Sequence, residues 1–254
     1  LNFGTQSLIL GNSIIRLNNV DSTNNYAKSL LKQNKSVAEG TVIIAESQEH
    51  GRGQYGNSWV SEPGKNLTFS IILIPKFLRA NEQFLLSQAV SLAIVECLKK
   101  HVSLPVTIKW PNDILIEKKK VCGILIESNI VKDHLNESIV GIGLNVNQHN
   151  FPDNVLHATS LINISQQVID LEKLLFQILS SIEKYYLLLR KGKKDFIAEQ
   201  YLQHLFQYKT IADYSISDEK VQGIIEGVNQ LGQLEMTIDG ENKVYNNKEI
   251  EFLL

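Results

Sequence analysis

Residues 46–59, ESQEHGRGQYGNSW, join one apolar segment (41–46, TVIIAE) to another (66–74, NLTFSIILI), and the reading of this loop decides the fold. Gly51, Gly53 and Gly56 are free to take positive φ and bring backbone N–H groups close to a ligand, while Arg52 offers a fork of donors for phosphate or carboxylate. The letters fit three nucleotide-binding templates. Gly51-x-Gly53-x-x-Gly56 satisfies the dinucleotide fingerprint, but that fold needs a helix to begin inside the loop so that its N-terminus holds a pyrophosphate. Here Trp59, Pro63 and Gly64 lead into a second strand. A P-loop needs lysine where Asn57 stands, and again a following helix. A protein kinase would account for Val106-Thr-Ile-Lys109, yet the chain has no H-R-D or D-F-G segment. By itself the loop fits either an anion site or a surface turn with a solvated arginine.

Outward from the loop, Asp21, Ser22, Thr23 and Asn24 offer N-cap residues to a helix ending near Asn34, with Tyr26, Ala27, Leu30 and Leu31 on one face. Residues 41–46 form the buried strand that delivers the loop, and 66–74 form a second strand stopped by Pro75. Asn81 caps a long helix to about Lys100 that covers one face of a sheet. Short strands follow at 106–110, 114–117, 121–129 and 138–147. Connections this short make antiparallel hairpins, since a parallel crossover needs a dozen or more residues. Asp170 caps a helix to Arg190 with Leu171, Leu174, Leu175, Ile178 and Ile182 on one stripe, and another helix spans 195–206. From Lys209 the texture changes to short β runs with glycines at 223, 227, 232 and 240, which reads as a small β-barrel. Roughly 45 residues is near the lower limit for independent folding, so this part is expected to pack on the main domain. The expected division is 1–208 and 209–254, in an α+β fold.

The 254 residues are 43% hydrophobic and 20% charged, ordinary globular composition with material for a substantial core. A net charge of −2 gives no basic footprint for nucleic acid. Cys97 and Cys122 lack metal-ligand or C-x-x-C spacing, so two reduced thiols in a cytoplasmic protein are expected. No apolar run approaches the ~20 residues that span a bilayer, and the opening LNFGTQSLIL lacks a basic leader and a cleavage site, so no membrane association or targeting is expected.

A second cluster is Lys109-Trp110-Pro111-Asn112-Asp113, followed by residues 118–127, KKKVCGILIE. A lysine ending one strand, a tight turn and a lysine starting the next apolar strand can place two cations and a carboxylate around one phosphate-bearing ligand. Asp113 can then hold Mg²⁺, which uses one or two carboxylates plus substrate oxygens and waters. Two ordinary hairpins with a solvated charge run fit the same letters.

Taken together, Asp21-Ser-Thr-Asn24, Gln48 with Gly51-Arg-Gly53, Trp59, Lys109-Trp-Pro-Asn-Asp113, Lys120-x-x-Gly-Ile-Leu-Ile-Glu127 and Gly141-Ile-Gly-Leu-Asn-Val-Asn147 resemble the biotin protein ligase family from about residue 12 to the C-terminus. The resemblance implies a mixed-sheet catalytic domain related to class II aminoacyl-tRNA synthetases, followed by a small SH3-like barrel. It also implies a reaction in which biotin and ATP, with Mg²⁺, give biotinyl-5′-AMP. The biotinyl group then passes to a lysine of a biotin carboxyl carrier domain.

By matching position, the resemblance assigns Ser22, Thr23, Asn24 and Gln48 to biotin, with Gly51, Arg52, Gly53 and Gly123 near its tail and carboxylate. Arg52 and Lys120 are the catalytic pair bridging carboxylate and α-phosphate. Lys109, Asn112 and Asn145 line the nucleotide side, Trp59 packs the adenylate, and Asp113 organises Mg²⁺. Trp110 is expected in the core, and Cys122 in a buried strand.

Many members carry a second loop arginine where this chain has Gln54, which keeps hydrogen-bonding capacity and loses a charge-assisted phosphate contact of ~1.5–3 kcal/mol. The family's repressor members carry a further winged-helix domain, and the 20 residues before Asp21 are too few for one, so a short form is expected. Lipoate or octanoate ligases share the architecture but not this combination of motifs, and a non-catalytic biotin-binding module would be expected to lack Arg52 or Lys120. The oligomeric state, monomer or homodimer, stays open.

Overall fold

The computed structural model describes residues 9–33, 36–153, 155 and 157–253. Its first unit is a seven-stranded mixed sheet. Strand β1 (Ile14–Val20) leads through helix α1 (Thr23–Lys32) into β2 (Val42–Gln48), which lies parallel to β1. After the glycine loop come β3 (Leu67–Leu73), a 3₁₀ turn (Ala80–Glu82), helix α2 (Phe84–Leu98), and strands β4 (Val106–Lys109), β5 (Asp113–Ile116), β6 (Lys119–Val131) and β7 (His134–Leu144). The sheet order is β1-β2-β3-β7-β6-β5-β4, with every pair antiparallel except β1 and β2. The β4-to-β7 hairpins therefore form as their short connections require. Strand β1 escapes the sequence reading because it is an edge strand whose apolar residues, at 14, 15, 17 and 20, do not keep the alternation of a half-buried strand. The end expected for α1, at Asn34, lies outside the described residues.

Helices α3 (Leu161–Ser165), α4 (Leu171–Arg190) and α5 (Lys194–His204) complete this unit. Asp170 caps α4 by accepting from the Lys173 N–H at 3.0 Å, as its position before the apolar stripe demands. Asn81 does not cap α2. It lies inside the 3₁₀ turn, where Glu82 instead accepts from the Arg79 N–H, and α2 starts at Phe84. Helix α2 is apolar almost all round because it is enclosed between the sheet and helices α4 and α5.

Side-chain alternation on β3 sorts the molecule into two faces. Leu67, Phe69, Ile71 and Leu73 join the large core under α2 and α4, whereas Ile72 joins a small cluster with Ala27, Ile43 and Ile139 under α1. Each aliphatic side chain fully buried here contributes about 1.5–3 kcal/mol relative to exposure, so the first face carries most of the stability. The second face, lightly covered, is where a cleft can open.

The chain ends in a five-stranded antiparallel sheet of β8 (Ile211–Ile216), β9 (Glu219–Val228), β10 (Leu234–Ile238), β11 (Glu241–Tyr245) and β12 (Glu251–Phe252), ordered β11-β10-β9-β8-β12. It packs on the first unit as expected. Trp110 is buried at their junction and donates its indole N–H to the Gly232 carbonyl at 2.9 Å. No helix among the described residues is long and apolar enough to cross a membrane.

Candidate active site

The cleft opens where the lightly covered face of the sheet loses its side chains. Gly141 and Gly143 alternate along β7, and Gly123 of β6 stands opposite Gly143. A methyl group on Gly141 would overlap the Asn24 amide, and one on Gly143 would overlap the Trp59 indole. The first turn of α1 and the Trp59 ring therefore rest directly on sheet backbone. The resulting cleft, of about 400 Å³, is bounded by that turn, the glycine loop, the turn between β4 and β5, and residues 247–252 of the small sheet.

Its floor is a chain of polar groups. Gln48 Oε1 accepts from the Thr23 N–H at 2.9 Å and lies 3.2 Å from Thr23 Oγ1, so β2 supplies the cap that the helix's own N-cap residue, Ser22, does not make. Ser22 is left as a buried hydroxyl lining the cleft. Ser70 Oγ, fully buried on β3, stands 2.7 Å from Thr23 Oγ1 and 2.6 Å from Asn24 Oδ1. Asn24 Nδ2 donates to the Glu127 carboxylate at 2.9 Å. Thr23, Asn24 and Ser70 are buried with partners, which keeps them oriented when the cleft fills.

The opposite wall is cationic. The β4–β5 hairpin pairs Lys109 with Asp113, and the irregular register between β5 and β6 brings Lys120 Nζ to 2.7 Å from Asp113 Oδ1. Lys120 also stands 5.7 Å from the Trp59 ring, while its backbone donates to the His157 carbonyl and accepts from the Thr159 N–H, fixing the residue on both sides. Lys109 lies 5.4 Å over the Phe252 ring of the small sheet. Burial lowers its pKa, Asp113 and Glu251 oppose that shift, and Lys120 adds to it. Asn112 donates to the Ile124 carbonyl at 2.5 Å and accepts from the Ile124 N–H, so the turn is zipped onto β6. The Trp110–Pro111 peptide within it is cis.

Arg52 stands between floor and wall. Its guanidinium meets Asn25 Oδ1 at 2.9 Å and the Glu127 carboxylate at 3.2 Å. Of the loop glycines, only Gly56 takes positive φ, at +85°. Gly51 is needed for a different reason, because the Trp59 carbonyl crosses where a side chain would begin. Gln54 Oε1 accepts from Asn247 Nδ2 at 2.8 Å, tying the loop to the small sheet.

Ser22, Thr23, Asn24, Gln48, Arg52, Gly53, Trp59, Lys109, Asn112, Asp113, Lys120 and Gly123 thus line one cleft, although the sequence scatters them over about a hundred positions. Gly51 lines instead an adjoining cavity of about 660 Å³ that shares Gln48, Arg52, Gly53 and Trp59 with the cleft. Asn145 lines neither. It is buried, donates to the Thr159 carbonyl at 3.0 Å, and leaves Oδ1 without a partner. Ser70 and Glu127 carry contacts that the sequence reading gave no role, yet a serine within the apolar run of β3 is itself a signal, since a buried hydroxyl needs a partner. Among the described residues no group of three or more His, Cys, Asp or Glu side chains is placed to hold a metal.

Residues 17–145 match the biotin/lipoate A/B protein ligase family. The bifunctional ligase/repressor BirA of Bacillus spizizenii is 37% identical over 190 residues, 73% of this chain and 57% of that protein. The biotin–[acetyl-CoA-carboxylase] ligase of Mycobacterium tuberculosis is 25% identical over 219 residues, 85% of this chain and 80% of that one. The biotin protein ligase of Aquifex aeolicus, solved in complex with biotin and ATP, superposes with a TM-score of 0.78 at 27% identity, covering 95% of this chain and 99% of that chain. The match thus spans little more than half the length of the two Bacillus BirA proteins.

Proposed function

The chain belongs to the biotin/lipoate A/B protein ligase family, and from that premise and the cleft we propose that it is an ATP-dependent biotin protein ligase. The observation that carries this reading is the arrangement of Arg52, Lys109 and Lys120 along a cleft whose floor is the polar chain from Gln48 to Asn24. In the first step a biotin carboxylate oxygen attacks the α-phosphorus of ATP. The bond to the bridging oxygen breaks, and biotinyl-5′-AMP and pyrophosphate form. In the second, the amine of a carrier-domain lysine attacks the acyl carbon, loses a proton and expels AMP.

Both reactants of the first step are anions, and charge grows on the phosphate oxygens. Preorganised cations aimed at that charge supply the largest catalytic contribution, ~3–4 kcal/mol for each well-placed donor. Lys120, held on both sides by backbone, and Arg52, presented by the loop, are those donors. Thr23, Asn24 and Gln48, with the Ser22 hydroxyl, hold the ureido ring, and Gly123 gives the valeryl tail room. Lys109 and Asn112 face the nucleotide, with Trp59 packed against it and Asn145 Oδ1 as an acceptor behind it. Asp113, which with Glu251 is one of two carboxylates lining the cleft, would hold Mg²⁺ together with substrate phosphates and water, and the ion would neutralise phosphate charge. The small sheet is read as the SH3-like barrel of the family and the large one as the class II synthetase-related domain. The acceptor is a biotin carboxyl carrier domain, the enzyme works in the cytoplasm, and no nucleic acid takes part.

Biotin-dependent exchange of pyrophosphate into ATP tests the reading, with lipoate and octanoate in parallel reactions. Exchange with biotin alone is expected. Exchange with lipoate alone would move the chain to the family's other branch, and a folded, magnesium-supplied preparation without exchange would refute the enzyme.

A further inference from the structure

We propose that Glu127 is a positioning residue for the carboxylate end of the substrate, acting through Arg52, an inference that rests on the ligase reading above. Glu127 follows Gly123 and Leu125 on β6 at every second position, so it points to the same face as the cleft. Its carboxylate collects donors from two separate elements. Asn24 and Lys28, one turn apart on α1, reach it at 2.9 and 2.6 Å. From the glycine loop, both terminal nitrogens of Arg52 approach it, at 3.2 and 3.5 Å.

The distances rank these contacts. The two from α1 are short and anchor the carboxylate, whereas the pair from Arg52 is longer and lies against a carboxylate already held. Arg52 is therefore oriented without being saturated. Its guanidinium carries five donors in a fixed plane, and Glu127 with Asn25 engages one side of that plane. The rest remains for an incoming carboxylate. Burial pushes the Glu127 carboxyl up, but hydrogen bonds from Lys28 and Asn24 and the charges of Lys28 and Arg52 outweigh it and hold the group below its ordinary value. Hydrogen bonds from the Gly53 N–H to the Asn57 carbonyl and from the Trp59 N–H to the Gly51 carbonyl fix the loop backbone, and the anchored carboxylate orients the long arginine side chain that this backbone presents. Through Asn24 the same carboxylate also steadies Ser70 and Thr23, which places both ends of the substrate under one support.

A purely structural role, pinning α1 to the sheet through Lys28, is separable from this. Biotin binding by calorimetry is measured for the wild type, Glu127→Gln, Lys28→Met, Arg52→Ala and the Arg52→Ala/Glu127→Gln double variant, each checked for cooperative thermal unfolding. Glu127→Gln can still accept from Asn24 but loses the charge facing Arg52, and is expected to weaken biotin about tenfold, the scale of one charge-assisted hydrogen bond. Lys28→Met is expected to stay within about threefold, and Glu127→Gln in the Arg52→Ala background to add less than about twofold, because the two residues act as one unit. Glu127→Gln binding like wild type, Lys28→Met matching its loss, or a full additional loss without Arg52 would each overturn the proposal. If Glu127→Gln does not fold, Glu127→Asp keeps the charge but withdraws it by one methylene. It should bind biotin more weakly than wild type, and unchanged binding would overturn the proposal. A folded wild type that binds no biotin would instead sink the ligase reading itself.

Discussion

Replacing Lys120 by alanine separates the chemistry of the cleft from its stability. In the folded protein Lys120 has two side-chain contacts, the 2.7 Å pair with Asp113 and the approach to the Trp59 ring at 5.7 Å. Its side chain is 38% exposed and that of Asp113 21%, so solvent screens the pair, whose stabilisation is at most ~1 kcal/mol. The cation–π contact at such a site adds ~0.5–1 kcal/mol. The backbone bonds to His157 and Thr159 survive the substitution. Lys120→Ala should therefore lower the melting temperature by only a few degrees, given about 2–4 °C per kcal/mol for a chain of this size. Removing a donor aimed at the developing phosphate charge costs ~3–4 kcal/mol of barrier, a loss of about 10²- to 10³-fold in rate. The assay is biotin-dependent pyrophosphate exchange at saturating biotin and ATP, beside a thermal melt. Exchange within about threefold of wild type would refute the placement of Lys120 at the reacting phosphate, and a melt lowered by much more than ten degrees would show that the stability estimate omits something.

Gln54→Arg should lengthen retention of biotinyl-5′-AMP, because a cation enters the loop where the Gln54 amide now meets Asn247; single-turnover release of labelled adenylate at an unchanged or faster rate would count against it. The Glu82 carboxyl is desolvated, which raises its pKa, but the bonds from Lys194 and the Arg79 N–H prevail and lower it, so its stabilisation is complete above the ordinary 4.5 and is lost as pH falls through the lower folded value. Glu82→Gln should accordingly be less stable than wild type near neutrality and converge with it in acid, measured by urea unfolding across that range. Cys97 and Cys122 are both buried, and desolvation raises the Cys97 thiol to about 11 and the Cys122 thiol further, so a disulfide reagent should titrate neither in the native protein and both after unfolding.

What could be read without coordinates follows from local rules. The strand on each side of residues 46–59 was visible because apolar β-rich runs and a Pro-Gly turn leave no room for a helix, and that excluded the dinucleotide and P-loop folds. The hairpins β4 to β7 were visible because their connections are too short for a parallel crossover, and α4 because Asp170 precedes a regular stripe. The motif resemblance named part of the cleft lining, with Gly51 and Asn145 set apart from the cleft, and gave no role to the wall at 247–252 contributed by the small sheet.

The tertiary structure decided what depends on contacts between distant segments. Strand β1 is held by pairing with β2, and its apolar residues lack a regular alternation, so the run by itself conceals it. Asn81 looks like a cap, but Arg79 and Glu82 build the turn that starts α2. Gly51 and Gly143 are required by the carbonyl and the ring of Trp59, which no spacing rule connects to them. Glu127 is a motif letter in the sequence and becomes the meeting point of α1, the loop and β6 only when the sheet brings Asn24, Lys28 and Arg52 to one carboxylate. Periodicity and turn chemistry act over a few residues and can be read along the chain, whereas a side chain's partners are set by the packing of whole elements.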